Sequence, residues 1–216
     1  MKTLRNYIAE KLIIYHQQVD EKLVINKNYI DGYNYYPKDR DELKTIIREH
    51  YNKGIYDLND IDVSKITNFS FIFYEDKNTG NINFDVSGWD VSNAEDFSNM
   101  FYGCKKFNND LSGWDVSKCK DFSWMFADCG NFNSDLSDWD VRNGKNFAWM
   151  FRTCYKFNSN LSDWVVSDGI NFRSMFYYCN KFNSDLSKWN ISKNANTKEM
   201  FFNCPIDDKN KPKILK

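Results

Sequence analysis

The sequence predicts an α/β repeat solenoid, in which about six coils of one repeated unit stack on each other and share one core. The first observation is a tryptophan that recurs every 25 residues, and the second is a Met-Phe pair that keeps the same interval. The five tryptophans are Trp89, Trp114, Trp139, Trp164 and Trp189. A fixed period between about 20 and 50 residues is typical of solenoids and other repeat arrays.

A short helix is predicted in the second half of each repeat. In the repeat that begins at Trp89, the apolar residues Phe97, Met100, Phe101 and Cys104 fall at i, i+3, i+4 and i+7. That spacing places four apolar side chains on one face of a two-turn helix. Asp96 stands directly before them, and its carboxylate is a suitable N-cap.

A short strand is predicted in the first half of each repeat. Within residues 110–117, Leu111, Trp114 and Val116 are apolar and the residues between them are mostly polar. Such alternation is typical of a half-buried strand. We therefore expect one short parallel strand and one short helix per coil.

An N-terminal cap segment is predicted over residues 1–55 and the array of repeats over 56–204. Residues 1–20 have helical spacing, and Asp39 or Asp41 can cap a second helix that ends before Gly54. The first repeat is degenerate, with Ile61 in place of tryptophan, and a surface loop is expected over 75–81. Pro205 closes the array, and the charged tail 205–216 is expected to lack order.

Composition argues against several classes of protein. The formal net charge of −1 does not suit a general nucleic-acid binder, and no apolar run reaches the ~20 residues of a membrane span. Five of the six cysteines share one column of the repeat. Because a column of equivalent helix positions is spaced too widely for disulfides and does not converge on one ion, we expect buried thiols and a reducing compartment.

The repeat string FNxDLSxWDVSxxxxFxxMFxxC resembles the repeat of BspA-like leucine-rich-repeat surface proteins over residues 60–204. That resemblance implies a leucine-rich-repeat-like solenoid without enzyme activity, in a host-associated bacterium or its phage. Secreted members of the family act in adhesion or protein binding, so a cell-surface adhesin is one alternative. The sequence shows neither a signal peptide nor a lipobox cysteine, which favours a cytoplasmic protein.

A second resemblance concerns the first ten residues, MKTLRNYIAE. They resemble the N-terminal targeting peptides of internal head proteins of tailed phages, and Ile8-Ala9-Glu10 fits the cleavage motif of such peptides. The alternative function that this resemblance implies is a virion or internal structural protein of a phage.

Catalytic, metal and cofactor sites are not predicted. The two histidines have no serine or cysteine in an evident motif, and no phosphate-binding loop is present. Aspartates recur in one column, at Asp85, Asp110, Asp135 and Asp185. Calcium could bind an acidic ladder, but the glycine-rich turn of such sites is missing, so we expect these side chains to satisfy amides of turns.

Exposed aromatic residues are the candidate binding surface for a protein partner. On a helix, Trp124 and Trp149 would lie about 200° from the buried phenylalanine two residues earlier and so face outward. Arg152, Tyr177 and Tyr178 would lie beside them. Aromatic residues with an arginine are typical of binding hot spots, although the rings could instead fill grooves between coils.

Overall fold

The computed structural model describes residues 32–74 and 83–215. The predicted helix over residues 1–20, the Ile8-Ala9-Glu10 motif and the predicted loop over 75–81 lie outside these ranges. Within them, one α-helix precedes the repeats and two short 3₁₀ helices follow them.

Helix α1, Arg40–Asn52, caps the first repeat. It begins where predicted, because the Asp39 side chain accepts a hydrogen bond from the amide of Glu42 at 2.9 Å. Leu43 and Ile47 are buried one turn apart and belong to the hydrophobic core shared with the repeats. Gly54, with a φ of 71°, follows the helix in a conformation that favours glycine.

Successive repeats lie against each other in register. Parallel bridges join residues one repeat apart, from Asn68 to Asp96 and then at every interval of the column as far as Asn196. The tryptophans stack in the same way: the ring centroids of Trp114 and Trp139 are 6.5 Å apart, and the planes differ by 2°. Each repeat therefore covers the apolar side chains of the one before it.

Buried tryptophans also tie the first halves of neighbouring repeats together. The indole Nε1 of Trp139 donates a hydrogen bond to the carbonyl of Leu111 at 2.9 Å, and that of Trp164 donates to Leu136 at 2.8 Å. Both indoles are only 3% exposed. A buried indole thus gains its apolar contacts without leaving its N–H unsatisfied.

The prediction of a short helix in each repeat is wrong, because the backbone of this segment forms hydrogen bonds with the neighbouring repeat. The amide of Asn99 donates to the carbonyl of Ser123 in the next repeat at 2.9 Å. The following amide, that of Met100, turns back to the carbonyl of Phe97 at 3.1 Å. Asn99 has a φ of 57°, which an α-helix does not tolerate. The segment is a series of turns whose alternate amides form a ladder from repeat to repeat.

The short strand predicted in each repeat is also replaced by turns. The amide of Trp114 bonds to the carbonyl of Leu111 at 3.1 Å, and the Asp110 side chain accepts the amide of Ser112 at 3.0 Å. Asp115 does the same for Ser117 at 3.0 Å. The side chains of Asp110 and Asp115 thus stabilise two successive turns of this repeat, and the apolar residues between them still face the core.

The C-terminal tail is ordered, contrary to the prediction. It forms 3₁₀ helices at Asp208–Asn210 and Lys213–Leu215. The amide of Leu186 donates to the carbonyl of Asn210 at 2.8 Å, and Ile206 is 5% exposed. The tail has enough apolar contact with the last repeats to offset its high charge.

Candidate protein-binding surface

The ladder of turns determines which side chains reach the surface. In each repeat the third residue of the first turn has a positive φ, and this column contains Trp124 and Trp149, at 58° and 57°. Its other members are Phe71, Asn99, Ser174 and Glu199. Because turns replace the helix, the positions of Trp124 and Trp149 follow from this left-handed conformation and not from helical spacing.

Trp124 and Trp149 contact each other and are both half-buried. Their ring centroids are 4.4 Å apart, and Tyr102 meets Trp124 edge-to-face at 5.5 Å. The two rings therefore combine features of both interpretations of the sequence: they pack between repeats, as groove-filling residues would, and they remain partly exposed, as a binding surface requires.

Arg152 is held within this aromatic cluster. Its guanidinium carbon lies 5.9 Å from the ring centroid of Trp124 and 5.8 Å from that of Tyr177. Its Nη1 forms an ion pair with Asp128 at 2.8 Å, and the hydroxyl of Thr153 also donates to Asp128. Arg152 thus connects Trp124 in the preceding repeat with Tyr177 in the following one.

The two candidate tyrosines lie on the adjoining repeat. Tyr177 stacks on Phe202 with centroids 4.9 Å apart, and Tyr178 lies 4.8 Å from Tyr177 and is 37% exposed. All five residues selected from the sequence therefore fall on one surface. We call this surface the aromatic stripe; it comprises Phe71, Tyr74, Tyr102, Trp124, Trp149, Arg152, Arg173, Tyr177, Tyr178 and Phe202.

Arg173 is one of the stripe residues that the sequence analysis did not select. Its guanidinium carbon lies 4.9 Å from the ring centroid of Trp149, and its buried Nε has no hydrogen-bond partner among the described residues. The signal was present in the sequence: Ser98, Ser123 and Ala148 occupy the equivalent position in three other repeats, and arginine departs from them in size and charge.

A shallow groove of about 470 Å³ runs beside the stripe. Lys105 and Lys156 line it together with the exposed ring of Tyr155, and Asp128 lies on its wall. The groove therefore extends the stripe with a further apolar ring and two cationic side chains.

The aspartate columns satisfy the chain's own turns. Asp110 and Asp135 each accept hydrogen bonds from the serine two residues later, and these bonds lower the pKa of both carboxyls below the usual 3.8. Asn160 occupies the same column and makes the same bond to the amide of Ser162 at 3.1 Å. In residues 32–74 and 83–215, no three acidic, histidine or cysteine side chains converge on a point where an ion could bind.

Four of the five cysteines in the column are buried, the last one, Cys204, is partly exposed, and all six thiols of the chain are free. The thiol of Cys129 donates to the carbonyl of Phe101 at 2.9 Å. Burial raises the pKa of Cys104 to about 12 and that of the more accessible Cys204 to about 11. The sequence analysis excluded disulfides from the distance between packed helices, and that argument does not apply because the repeats contain turns. Neutral buried thiols are nevertheless poor nucleophiles and poor metal ligands.

The contacts of His50 indicate a structural role. Its Nδ1 lies 2.9 Å from the carbonyl of Ile46, its Nε2 lies 3.3 Å from Asp60, and its ring meets Tyr35 edge-to-face at 4.7 Å. This histidine packs α1 against the first repeat, as a lone helical histidine commonly does.

Comparison with known proteins identifies one family. The model of the family described as "Mycoplasma protein of unknown function, DUF285" matches residues 42–147 and again 113–212. No curated protein and no solved structure matches the chain. Among the helices of the described ranges, none has the length and apolar character needed to cross a membrane.

Proposed function

The chain belongs to the DUF285 family, and we propose that it is a non-enzymatic repeat scaffold that binds a protein partner through the aromatic stripe. The overlapping family matches support a repeated unit, since both contain residues 113–147. We further propose that it comes from a host-associated bacterium or its phage and acts in the cytoplasm, where six free thiols would stay reduced.

We propose that the architecture is a BspA-like, leucine-rich-repeat-like solenoid. The support is the column of parallel bridges together with the in-register stacking of the tryptophans. In such a stack, each repeat contacts only its neighbours, so side chains of one column form a continuous strip on the outside. A strip of this kind suits a partner that extends along several repeats.

The observation that carries the binding function is the pair of half-buried tryptophans with Arg152 beside them. Tryptophan, tyrosine and arginine are enriched at the centres of protein interfaces, where an aromatic ring adds apolar contact and a guanidinium adds directed hydrogen bonds. Trp124 and Trp149 are not needed to fill the core, because the buried phenylalanine and tryptophan columns already do so. A binding function is the simpler explanation for the presence of these two tryptophans.

The test is to compare partner capture by two double variants. In the first, Trp124 and Trp149 are both replaced by serine; in the control, Val165→Ser and Ile170→Ser replace apolar residues that are 53% and 65% exposed outside the stripe. We expect the first variant to lose a specific partner that the wild type and the control retain. Circular dichroism should show the same fold in all three proteins, and equal capture by all of them would refute the proposal.

A further inference from the structure

We propose that the partner docks through an acidic segment, one carboxylate of which binds the guanidinium of Arg173. This inference rests on the proposed function and adds the chemistry of the partner. The structural basis is Arg173, which packs on Trp149 and has no ion-pair partner in residues 32–74 and 83–215.

Arg173 is positioned but not neutralised. Trp149 packs against its guanidinium at 4.9 Å, and its buried Nε lacks an acceptor. No carboxylate of the described residues forms an ion pair with it. Because the Nε is buried, a carboxylate supplied by another molecule would bind the guanidinium through its terminal nitrogens and would provide the missing counter-charge.

Arg152 provides the internal comparison. It also packs on aromatic rings, but its charge is already paired with Asp128 at 2.8 Å. The two arginines lie on neighbouring repeats of one surface, and of the two only Arg152 has a counter-ion among the residues that the structure describes. An incoming carboxylate would therefore bind preferentially at Arg173.

The charge of the surrounding surface favours the same partner. Residues 146–156 and 171–181 contain Arg152, Lys156, Arg173 and Lys181 but no aspartate or glutamate. The equivalent stretch of the preceding repeat, 121–131, contains two aspartates and no lysine or arginine. Arg152 is paired with Asp128, so Lys156, Arg173 and Lys181 provide the excess positive charge of these two repeats, although the whole chain has a net charge of −1. Such a patch attracts and orients an acidic partner.

Arginine suits this task because its planar fork binds a carboxylate through two parallel hydrogen bonds. The indole of Trp149 excludes water from one face of the guanidinium, which strengthens an ionic hydrogen bond made at its edge. The rings of Trp124 and Tyr177, which contact Arg152 on the neighbouring repeat, supply further apolar contact along the stripe.

The length of the probe follows from the spacing of the repeats. Bridged backbones lie about 4.8 Å apart, so the four repeats from Trp124 to Phe202 span roughly 14 Å. An extended peptide rises about 3.4 Å per residue and crosses this distance with about five residues. Peptides of roughly eight residues are therefore long enough. The test peptide contains glutamates around a tyrosine. The control peptide has the same sequence with glutamine in place of every glutamate.

The experiment measures binding of both fluorescein-labelled peptides to the whole protein by anisotropy at low salt. We expect the glutamate peptide to bind at least about tenfold more tightly than the glutamine peptide, with the difference decreasing as salt screens the charges. Arg173→Gln should abolish the difference, and Arg173→Lys should keep part of it. Arg142→Gln, an exposed arginine that pairs with Asp140 outside the stripe, should leave it unchanged.

Three outcomes would overturn the inference: equal binding of the two peptides, binding of neither, or an unchanged preference in Arg173→Gln. Each leaves the proposed function standing if the tryptophan variant still loses its captured partner while the control retains it. If the tryptophan variant and the control capture equally, the proposed function itself fails. The two ideas are thus separable.

Discussion

The indole rings of Trp124 and Trp149 meet at 4.4 Å from two backbone positions that share a positive φ. Left-handed conformations are unfavourable for residues other than glycine by roughly 1–2 kcal/mol. The ladder offsets this strain, because the Trp124 amide thereby reaches the carbonyl of Ala148 at 3.0 Å in the next repeat. The repeat thus tolerates the strain wherever its amides are satisfied.

Relief of the strain should stabilise the last repeat. Glu199 has a φ of 57° and an exposed side chain, so Glu199→Gly should raise the free energy of unfolding by about 0.5–1 kcal/mol. The adjacent Lys198 has no positive φ, and Lys198→Gly should lower stability instead. Urea unfolding of both variants checks this, and the same sign in both would contradict it.

Gly144 leaves space that a phenylalanine ring occupies. A Cβ at this position would lie 2.3 Å from the Phe147 ring, whereas one at Gly113 would meet nothing within 4 Å. Gly144→Ala should therefore destabilise the fold by about 1–3 kcal/mol. Gly113→Ala should be neutral or slightly stabilising. Thermal unfolding of the two variants makes the comparison, and equal melting temperatures would show that the Phe147 ring moves aside.

The buried thiols predict a loss of stability at alkaline pH. Burial raises the pKa of Cys104 from the usual 9.0 to about 12, so the folded state holds its proton while the unfolded state releases it. Stability should be unaffected below about pH 9 and should fall as pH rises from there toward pH 12. In Cys104→Ala this fall should be shallower. Denaturant unfolding between pH 7 and 10, at roughly one-unit steps, measures the slope.

Substitution of Asp135 tests whether the aspartate columns stabilise turns or bind a metal ion. Its carboxylate accepts the amide of Ser137 at 3.0 Å, a bond that asparagine makes equally well at position 160. Asp135→Asn should therefore be nearly neutral, whereas Asp135→Ala should cost about 1 kcal/mol. Calcium should leave the melting temperature of the wild type unchanged. Stabilisation by calcium that Asp135→Asn abolishes would instead indicate a metal site.

The predictions from sequence succeeded where the governing interactions are local. The start of α1 depends on Asp39 and the amide of Glu42 three residues away, and the buried face of α1 depends on Leu43 and Ile47. Capping and apolar spacing express such contacts directly. The interval between the tryptophans likewise indicated which residues of neighbouring repeats would contact each other.

The helix and strand of each repeat were mispredicted for a physical reason. Apolar residues at i, i+3, i+4 and i+7 face one side in a helix, but they also do so in consecutive turns closed by bonds from i to i−3. The choice depends on where the alternate amides find acceptors, and that of Asn99 finds Ser123 in the next repeat. A sequence pattern within one repeat does not contain this partner.

By itself, the sequence determined the period, the buried columns, Asp39 or Asp41 as the helix cap and the five candidate surface residues, because these follow from the order and chemistry of side chains along the chain. Only the tertiary structure decided that turns replace the helices, that Trp149 packs on Arg173, and that Arg173, unlike Arg152, has no counter-ion among the described residues. The reason is that these features arise between repeats, where stacking brings together groups that are 24 or 25 residues apart in the chain.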